Sequence, residues 1–485
     1  MTPHIDQART RRILHAIDGE LTGAAFEEVI DPSTAEAFEL YPVATADELD
    51  RAVGAARKAQ PGWAALGWDA RAQCLEQLAD AIDAQTDWLA TLHTMEQGMP
   101  FSQSLLYVSV AARRIRAMAR YRIADRILID AQDRRVTERW HPLGVIAAIA
   151  PWNGPLLLGM MKVVTALICG NTIVLKPSEL TPLSTLEIGR LGLDLFPAGV
   201  FNVVGGGRET GAAMAAHPGF DKISFTGSTA TGLAIARASA QFLRPMTLEL
   251  GGNDAAILLP DGSADALVAA AAGTGFHNNG QFCAAVKRIY APASMVDEVA
   301  GKLAALANGF VLGNGFEPGV TMGPIQNRAQ FDKVRAFVAD AKAVGGCAVA
   351  GGATLDRPGY FMQPTVFTQL TDGHRLVDEE QFGPVIPIVS YDDVDTVISR
   401  INAGPYGLTG SIWTADLDHG EAIAARIAVG SAAINRHAAF DAVVPFPLIK
   451  QSGMGIDYAE EGLKGTMRMQ VMTTTLPPPD IEGAA

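Results

Sequence analysis

The chain has 485 residues, of which 48% are hydrophobic and 19% are charged, and its formal net charge is −14. A chain of this length is too long for one hydrophobic core, so we expect two or three domains. Because the acidic balance is spread along the chain, it argues against nucleic acid and anionic membranes as partners.

Cysteine usage predicts a reducing compartment. Cys74, Cys169, Cys283 and Cys347 form no C-x-x-C pair and no Cys/His cluster with zinc-site spacing. We therefore expect neither a disulfide framework nor a metal site. The first twenty residues lack the apolar core of a signal peptide, and no apolar run is long enough to cross a bilayer. These features predict a cytoplasmic protein without a membrane partner.

The first part of the chain is predicted to be helical. Thr45-x-x-Glu48 is a capping box, which predicts a helix that starts there and runs through about Lys58. Further helical patterns run from Arg71 to Leu92 and from Ser102 to Tyr121. The charged segment 122–139 is typical of an exposed hairpin. It can be either a solvated loop or an arm that pairs with another subunit.

From Gly144 onward, short apolar β-branched runs alternate with helical patterns. The predicted strands are GVIAAIA (144–150), NTIVLKP (171–177), GVFNVV (199–204), DKISF (221–225) and MTLEL (246–250). This alternation predicts an α/β domain with a doubly wound parallel sheet, which binds ligands at the carboxyl ends of its strands. A second α/β region begins near Asn253, with strand-like runs AAILL, RIYAP, PTVF, PVIPIVSY, GSIWT and AAIN. The Pro-rich end beyond Thr475 is predicted to be disordered.

Two motifs at predicted strand ends are suited to a dinucleotide. Phe225–Gly232 reads FTGSTATG, and backbone N–H groups at the start of the following helix favour an anion. An ordinary tight turn explains it equally well. Lys176 and Glu179, in LKPSEL, end another strand. A carboxylate there can accept both ribose hydroxyls and repels a 2′-phosphate, although a surface charge pair is an equal alternative.

Three further residues carry groups that could act on a carbonyl. Asn153, in PWNGP, can donate a hydrogen bond to a developing oxyanion, or it can simply form a turn. Glu249 precedes two glycines, and partial desolvation there would raise its pKa toward that of a useful base. Cys283, in NNGQFCAAVKR, is either a small core residue or a nucleophile. With a dinucleotide site, these parts fit oxidation of an aldehyde through a thioester.

The motifs resemble those of the aldehyde dehydrogenase superfamily, in particular a bacterial branch of broad-range members. The matching segments follow the family order from about residue 20 to 475, and they include PWNGPLLL, GNTIVLKPSELTP, DKISFTGSTATG, TLELGGNDAAIL, GQFCAAVKRIY, DEEQFGPVIPI and IKQSGMGI. The resemblance implies a Rossmann-type dinucleotide-binding domain (1–119 and 141–250) and an α/β catalytic domain (251–450). It also implies a small β oligomerisation arm (120–140 and 466–477) and a disordered tail (478–485), in a homodimer or homotetramer.

The resemblance also implies site residues. Cys283 matches the nucleophile, Glu249 the general base, and Asn153 the oxyanion donor, together with the backbone N–H of Cys283. Asp457 stands where many members carry a glutamate on a proton path. The positions that match a cofactor site are Ile149, Trp152, Lys176, Ser178, Glu179, Gly207, Gly211, Phe225, Gly227, Ser228, Thr231, Leu250, Gly251, Glu380 and Phe382. Glu179 favours NAD over NADP by charge repulsion.

Two departures from the family pattern predict a wide substrate entrance: Gly154 replaces a frequent aromatic residue, and Met161 replaces a frequent tryptophan. A third departure, Pro447-Leu448 in place of two flexible positions, is expected to alter subunit contacts or one wall of the aldehyde tunnel. The predicted pocket residues are Gly154, Leu157, Leu158, Met161, Phe282, Ala284, Phe440 and Phe446. A bulky apolar or aromatic aldehyde is therefore the expected substrate.

Three alternatives stay open at this stage. A semialdehyde dehydrogenase would need an anchor such as Arg113, Arg114 or Arg436. A CoA-acylating enzyme would replace water by CoA, although Glu249 favours hydrolysis. A non-catalytic ligand-binding protein on the same fold would not need Cys283, Glu249 and Asn153 together.

Overall fold

The computed structural model describes residues 12–438 and 441–477. The predicted tail 478–485 and the predicted pocket residue Phe440 lie outside the described residues. The strands are β1 (His15–Ile17), β2 (Glu20–Thr22), β3 (Ala25–Asp31), β4 (Glu36–Val43), β5 (Arg126–Asp130), β6 (Arg134–Pro142), β7 (Val145–Ile149), β8 (Thr172–Lys176), β9 (Phe201–Val203), β10 (Lys222–Thr226), β11 (Met246–Glu249), β12 (Ala255–Leu258), β13 (Arg288–Pro292), β14 (Cys347–Ala350), β15 (Thr365–Thr368), β16 (Val385–Tyr391), β17 (Thr409–Trp413), β18 (Ser431–Ile434), β19 (Phe446–Pro447), β20 (Gly453–Met454), β21 (Ile456–Asp457) and β22 (Met467–Thr475).

The α-helices connect these strands and cover the sheets. They are α1 (Ala46–Ala65), α2 (Gly67–Ala84), α3 (Thr86–Gln97), α4 (Phe101–Ala119), α5 (Pro155–Ile168), α6 (Leu183–Gly192), α7 (Arg208–Ala216), α8 (Thr229–Ser239), α9 (Ala264–Gly275), α10 (Val296–Asn308), α11 (Arg328–Ala343), α12 (Arg375–Asp378), α13 (Val394–Ala403), α14 (Leu417–Ala424) and α15 (Ala459–Lys464). Among the described residues, none of the helices combines the length and the apolar character needed to cross a membrane.

The first large sheet has eight strands in the order β2-β1-β9-β8-β7-β10-β11-β20. Its five central strands are parallel, whereas β1, β2 and β20 run antiparallel to their neighbours. The chain proceeds from β7 through β8 to β9 on one side and then returns to place β10 beside β7. A crevice for a ligand is expected at such a reversal of strand order, at the carboxyl ends of β7 and β10.

The second large sheet has seven strands in the order β14-β15-β16-β13-β12-β17-β18. All its pairings are parallel except that of β14 with β15. Each large sheet has a buried apolar core on both faces, which explains why their strands are apolar throughout rather than alternating. The predicted α/β fold with doubly wound sheets is confirmed.

The predicted hairpin at 122–139 is present as β5 and β6, and β22 extends it into a three-stranded sheet. β22 pairs with β6 over nine residues, from Met467 opposite Pro142 to Thr475 opposite Arg134. Most residues of β5 and β22 are exposed, so this sheet stands apart from the two large cores.

Two predicted helix boundaries are wrong. The capping box of Thr45 and Glu48 is present, but α1 continues past Lys58 to Ala65 with Pro61 inside it. Its buried face extends beyond the proline to Trp63, so packing sustains the helix despite the missing donor. The pattern from Arg71 to Leu92 covers two helices, because the chain leaves helical geometry at Gln85.

Candidate active site

Cys283 follows a segment with unusual backbone geometry. Asn278, Asn279 and Gly280 are consecutive left-handed residues, with φ of 49°, 57° and 67°. Asparagine and glycine tolerate this region best. A Cβ on Gly280 would lie 2.2 Å from the carbonyl oxygen of Gly383, so this position needs glycine. After this left-handed turn, Cys283 lines a cavity together with residues of β7, β10 and β11 in the first large sheet.

Buried side chains hold three consecutive carbonyl groups ahead of Cys283. Asn153 donates from Nδ2 to the carbonyl oxygen of Gln281 over 2.9 Å. Lys287 donates from Nζ to the carbonyl oxygens of Gly280, over 3.2 Å, and Phe282, over 2.7 Å. Lys287 and the adjacent Arg288 are both buried.

Asn153 lies between β7 and α5, at the crevice that the strand order creates. Asn278 donates from Nδ2 to the carbonyl oxygen of Asn153 over 2.9 Å, and Gln97 donates to Asn278 Oδ1 over 2.6 Å. A side-chain amide has two N–H donors, and Gln281 takes one of them. Since Asn153 lines the same cavity as Cys283, its second N–H can serve an oxyanion there.

Glu249 ends β11, and its side chain is buried in the same cavity as Cys283, with which it interacts electrostatically. The pKa of Glu249 is raised to about 7, mainly by burial and also by nearby Asp457, while Cys283 and Lys162 oppose the rise. Its Oε1 atom has no hydrogen-bond partner in the described part of the chain. The carboxyl group can therefore gain and lose a proton near neutral pH.

Burial also raises the pKa of the Cys283 thiol well above its ordinary value. The charge and hydrogen bond of Glu249 add to this rise, whereas the positive charge of Lys287 lowers the pKa. A thiol in this environment needs a base to become a nucleophile, and Glu249 is in contact with it.

The cavity has a volume of about 310 Å³, which is the size of a small-molecule site. Of the predicted residues, it is lined by Asn153, Gly154, Leu157, Leu158, Met161, Glu249, Phe282, Cys283, Phe446 and Asp457. Ala284 does not line it, and its assignment to the pocket is corrected. A turn closed by Ala285 N–H and the carbonyl oxygen of Phe282 directs the Ala284 methyl group into the core.

The sequence interpretation missed several lining residues on α4 and beside Cys283. They are Leu106, Tyr107, Val110 and His277, and the candidate anchor Arg114 lines the cavity beside them. Tyr107 OH lies 2.9 Å from Nε2 of His277, whose ring packs edge-on against Phe282. Positions 107, 110 and 114 share one face of the predicted helix 102–121, and this spacing could have predicted that the three side chains line the cavity together.

The other end of the cavity is polar. Lys162 donates to Ser224 Oγ over 3.1 Å, and Lys222 donates to Thr247 Oγ1 over 2.7 Å. Both lysines are buried, which lowers their pKa values, to about 8 for Lys222, and Asp457 opposes both shifts. Asp457 belongs to β21, which pairs with β19 so that Phe446 lies opposite Asp457 and Pro447 opposite Ile456. Pro447 of the Pro447-Leu448 departure thus belongs to a short strand pairing in which the neighbouring pair, Phe446 and Asp457, lines the cavity.

The predicted ribose pair lies at the end of β8. Lys176 is buried and donates from Nζ to the carbonyl oxygens of Pro177, over 2.9 Å, and Gly206, over 2.6 Å. Glu179 Oε2 is 3.6 Å from the same Nζ, and its side chain is 41% exposed. The Glu179 carboxylate is therefore partly exposed at the edge of the crevice, whereas the Lys176 ammonium group is held by backbone carbonyls.

Two helices, α7 and α8, begin after parallel strands of the same sheet. Gly207 precedes α7 and has open space where a Cβ would stand, and a Cβ on Gly211 would lie 3.5 Å from Lys176 Cε. Ser228 caps α8 by accepting from Thr231 N–H over 3.2 Å, and Gly227 N–H donates to the Glu249 carbonyl oxygen. Open N–H groups at helix starts suit a pyrophosphate.

The remaining predicted cofactor residues lie around the turn after β11. Glu380 Oε1 accepts from Gly252 N–H over 3.0 Å, and a Cβ on Gly251 would lie 2.4 Å from Glu380 Oε2. The Phe382 ring packs edge-on against Trp152 at 5.5 Å. Four further predicted positions, which are buried, lie on or just after the same strands, and they are Ile149, Ser178, Phe225 and Leu250. The predicted residues therefore follow one line along the carboxyl ends of β8, β7, β10 and β11.

No cluster of three or more His, Cys, Asp or Glu side chains suited to a metal ion occurs within residues 12–438 and 441–477. The four cysteines, which all lie in that part of the chain, are free thiols.

The sequence matches the aldehyde dehydrogenase family over residues 21–472. The chain belongs to this family. It is 36% identical over 448 residues to geranial dehydrogenase of Castellaniella defragrans, covering 91% of this chain and 93% of that one. It is 35% identical over 452 residues to betaine aldehyde dehydrogenase of Rhizobium leguminosarum bv. trifolii, covering 91% and 93%.

A solved structure of an aldehyde dehydrogenase from Bacillus cereus in complex with NAD⁺ has a TM-score of 0.95 against this chain. That protein is 33% identical, and the match covers 98% of this chain and 99% of the other. Membership of an oxidoreductase family and the α/β fold are therefore confirmed.

Proposed function

We propose that the protein oxidises an aldehyde to a carboxylic acid with NAD, using Cys283 as nucleophile, Glu249 as base and Asn153 as oxyanion donor. The observation that carries this proposal is that all three side chains line one cavity, in which the Glu249 carboxyl group and the Cys283 thiol interact electrostatically. A nucleophile, its base and an oxyanion donor within one closed site form a complete unit for acyl chemistry.

The chain's own residues account for the proton and charge movements. Glu249 takes the thiol proton, and the Cys283 sulfur bonds to the aldehyde carbon. The second N–H of Asn153 and the backbone N–H of Cys283 donate to the resulting oxyanion. Loss of hydride from the same carbon leaves a thioester on Cys283. Glu249 passes the thiol proton on to solvent and then, again as a carboxylate, removes a proton from a water molecule, which attacks the thioester and releases the acid and the Cys283 thiolate.

The residues along the strand ends fit NAD. Bound NAD supplies the hydride acceptor. Lys176 and Glu179 would hold a ribose, the N–H groups after Gly207 and Ser228 a pyrophosphate, and Glu380 with Phe382 the end nearest the cavity. The space without side chains at Gly207 and the open N-terminus of α8 support this fit.

NAD is proposed over NADP because Glu179 places a partly exposed carboxylate in the ribose region. That carboxylate can accept hydrogen bonds from both ribose hydroxyls, but it repels a 2′-phosphate. Lys176 does not cancel this repulsion fully, since its ammonium group is also committed to two backbone carbonyls.

Asp457 is proposed to carry protons away from Glu249. Asp457, Lys162 and Lys222 line the polar end of the cavity, and both Asp457 and Lys162 interact electrostatically with Glu249. Water in a chamber bordered by these groups would connect the base to the surface.

The proposed substrate is a bulky aldehyde that is mainly apolar or aromatic. The wall beside Cys283 is formed by aliphatic and aromatic side chains such as Leu157, Leu158, Phe282 and Phe446. Because the two relatives above are named for chemically different aldehydes, the proposal rests on this lining and not on their names.

A second candidate, a semialdehyde dehydrogenase, is favoured by one observation. Of the three arginines that the sequence offered, Arg114 lines the cavity, whereas Arg113 and Arg436 are exposed elsewhere. Arg114 lies over the Tyr458 ring at 5.7 Å and forms no salt bridge with the described carboxylates. A cation with no acidic partner could bind a distal carboxylate of the substrate. A CoA-acylating enzyme stays an alternative that product analysis decides.

We further propose the division into a dinucleotide-binding domain (1–119 and 141–250), a catalytic domain (251–450) and an oligomerisation arm (120–140 and 466–477). The two large sheets and the separate three-stranded sheet support it. Exposed apolar side chains on the arm, including Ile127 and Val471, support a homodimer or homotetramer. Four free thiols support a cytoplasmic location.

The experiment is a panel of aldehydes with NAD, followed at 340 nm, with product analysis with and without CoA. We expect reduction of NAD with aromatic and long aliphatic aldehydes and formation of the carboxylic acid. A preference for small polar aldehydes would contradict the proposed substrate class. A preference for carboxylated aldehydes would favour a semialdehyde dehydrogenase, and formation of acyl-CoA would favour a CoA-acylating enzyme.

Matched cysteine variants test the nucleophile. Cys283→Ala is expected to abolish oxidation, whereas Cys347→Ala is expected to leave it unchanged because Cys347 is exposed on β14. Full activity of Cys283→Ala would overturn the proposed mechanism.

A further inference from the structure

Lys287 is a fully buried cation that lies behind the nucleophile rather than in the cavity. Its side chain is 1% exposed. Its ammonium group donates to the carbonyl oxygens of Phe282 and Gly280 and lies 4.7 Å from the centre of the Phe382 ring. It forms no salt bridge with any carboxylate in the described ranges. Burying a charge is costly, and here backbone carbonyls and an aromatic face compensate it.

The bond to Phe282 fixes the direction of an N–H group. A trans peptide unit is planar, so the carbonyl of Phe282 and the N–H of Cys283 point in opposite directions. Lys287 holds the carbonyl oxygen on the buried side, at 2.7 Å, and so directs the N–H away from itself. Within residues 12–438 and 441–477, that N–H donates no hydrogen bond to the backbone or to a side chain. It is available to an oxyanion at the nucleophile.

We propose that Lys287 is a positioning residue that orients the backbone N–H of Cys283 as an oxyanion donor and stabilises negative charge at the sulfur. The inference rests on the proposed role of Cys283. It explains why a charged side chain occupies a buried position at which a neutral donor could satisfy a carbonyl group. It also separates the two oxyanion donors, because Asn153 acts directly and Lys287 acts through a peptide unit.

The electrostatic part of the role concerns all the groups that face the thiol. Burial, Glu249 and Asp254 raise the pKa of Cys283, and Lys287 is the group that lowers it. Lys287 in turn faces Glu380, Asp254 and Lys333, and burial lowers its own pKa. Tyr107 and Tyr458 also interact electrostatically with the thiol. Loss of the Lys287 charge would leave the upward effect of Glu249 and Asp254 on the Cys283 pKa without its opposing cation.

The contact with Phe382 extends the role toward the cofactor end. Phe382 has a φ of 50°, so its backbone, like that of the nucleophile segment, is left-handed. Lys287 touches both segments, and Glu380 interacts with the same charge. One ammonium group therefore supports the nucleophile and the residues proposed to place the nicotinamide ring.

The test uses the full-length protein with Lys287→Met, which removes the charge and the donors at similar length. Lys342→Met is the matched control, because Lys342 also donates to a backbone carbonyl, that of Gly352, but at the surface. Two quantities are measured: kcat and KM for aldehyde oxidation, and the pH dependence of iodoacetamide alkylation at the Cys283 peptide, read by mass spectrometry.

We expect Lys287→Met to lower kcat by roughly 10- to 100-fold with KM nearly unchanged, since loss of an oxyanion donor acts mainly on the transition state. The alkylation midpoint should move to higher pH, and Lys287→Arg should restore that midpoint. Lys342→Met should change neither quantity. A folded Lys287→Met variant with the parent's kcat and alkylation midpoint would overturn the proposal.

Two further comparisons distinguish failure of the proposed Lys287 role from misfolding of the variant and from failure of the proposed function. If Lys287→Met does not fold, Lys287→Arg and Lys287→Gln are compared, and equal alkylation midpoints in these two variants overturn the electrostatic role. If Cys283→Ala retains activity, the proposed function fails. If Cys283→Ala is inactive while Lys287 variants behave as the parent, only the role of Lys287 fails.

Discussion

Asn153 and Asn278 hold two distant parts of the chain together at the nucleophile. Asn278 donates to the carbonyl oxygen of Asn153, while Asn153 donates to the carbonyl oxygen of Gln281, each over 2.9 Å. The turn after β7 and the segment before Cys283 are therefore joined by a reciprocal pair of bonds. The relative position of oxyanion donor and sulfur depends on this pair, and not on either sheet alone.

Asn153→Ala removes the direct oxyanion donor. We expect kcat to fall by about 10²- to 10³-fold with little change in KM, because the lost interaction exists mainly in the transition state. Asn278→Ala is the matched control, since it removes one bond of the reciprocal pair and leaves the donor. It should reduce kcat less. Equal effects of the two variants would assign Asn153 a structural role only.

The pH dependence should follow Glu249. Since burial raises its pKa to about 7, the base is protonated below that pH, and steady-state oxidation should increase as the pH rises through about 7. Glu249→Gln should remove this limb. It should also stop turnover after the thioester forms, provided that another base accepts the thiol proton. A pH profile of kcat that is flat between pH 6 and 8 in the parent would contradict the assignment.

The same shift predicts an opposite effect on stability. The carboxyl pKa is higher in the folded than in the unfolded protein, so ionisation in the unfolded state lowers the free energy of unfolding as pH rises from about 4.5 to about 7. Glu249→Gln should therefore stabilise the protein at pH 8 by at most about 3 kcal/mol, and hardly at pH 4. Denaturant unfolding at both pH values measures the difference. A variant less stable than the parent at pH 8 would count against a buried ionisable base.

Glu179→Gln should relax the choice of cofactor. Removing the carboxylate removes its repulsion of a 2′-phosphate, while the amide can still bind a ribose hydroxyl. We expect the ratio of kcat/KM for NADP to that for NAD to rise by about tenfold or more. Glu36→Gln, on exposed β4, serves as the control. An unchanged ratio would show that other groups decide the preference.

Gly154→Phe should narrow the substrate entrance. Gly154 has a φ of −149°, which other residues adopt, and a Cβ there would meet Leu158 Cδ1 at 3.4 Å. Gly154→Ala should therefore be tolerated. The phenyl ring should lower kcat/KM for bulky aldehydes by roughly 10- to 100-fold and spare small ones. Equal losses for all aldehydes would indicate damage to the neighbouring Asn153 instead.

Sequence patterns predicted the elements whose signals are local. The capping box at Thr45 and the buried runs β7, β8, β10 and β11 were identified because cap chemistry and β-branched runs act over a few residues. The two-residue strand β20 has no periodic signal, and it exists only because β11 offers an open edge. Likewise, β1 joins the sheet through pairing with β9, almost two hundred residues away.

The residues of the candidate site also differ in how far the sequence could predict them. The family motifs identified Cys283, Glu249 and Asn153, whose grouping in one cavity agrees with that expectation. The burial of Lys287 could not be read from its neighbours, because its partners include Phe382 from a distant segment. Helical spacing could have predicted that Tyr107 lines the cavity, but only the tertiary structure shows its hydrogen bond with His277.

The left-handed run at 278–280 also limits how far the reactivity of this thiol can be transferred. Such a conformation is unfavourable in a free chain, and here Gln97, Asn153 and Lys287 hold it from outside. A synthetic peptide with the same eleven residues would relax to ordinary turns and show the reactivity of a common surface thiol. Grafting NNGQFCAAVKR onto another scaffold would transfer the sequence of the motif but not the reactivity of its cysteine.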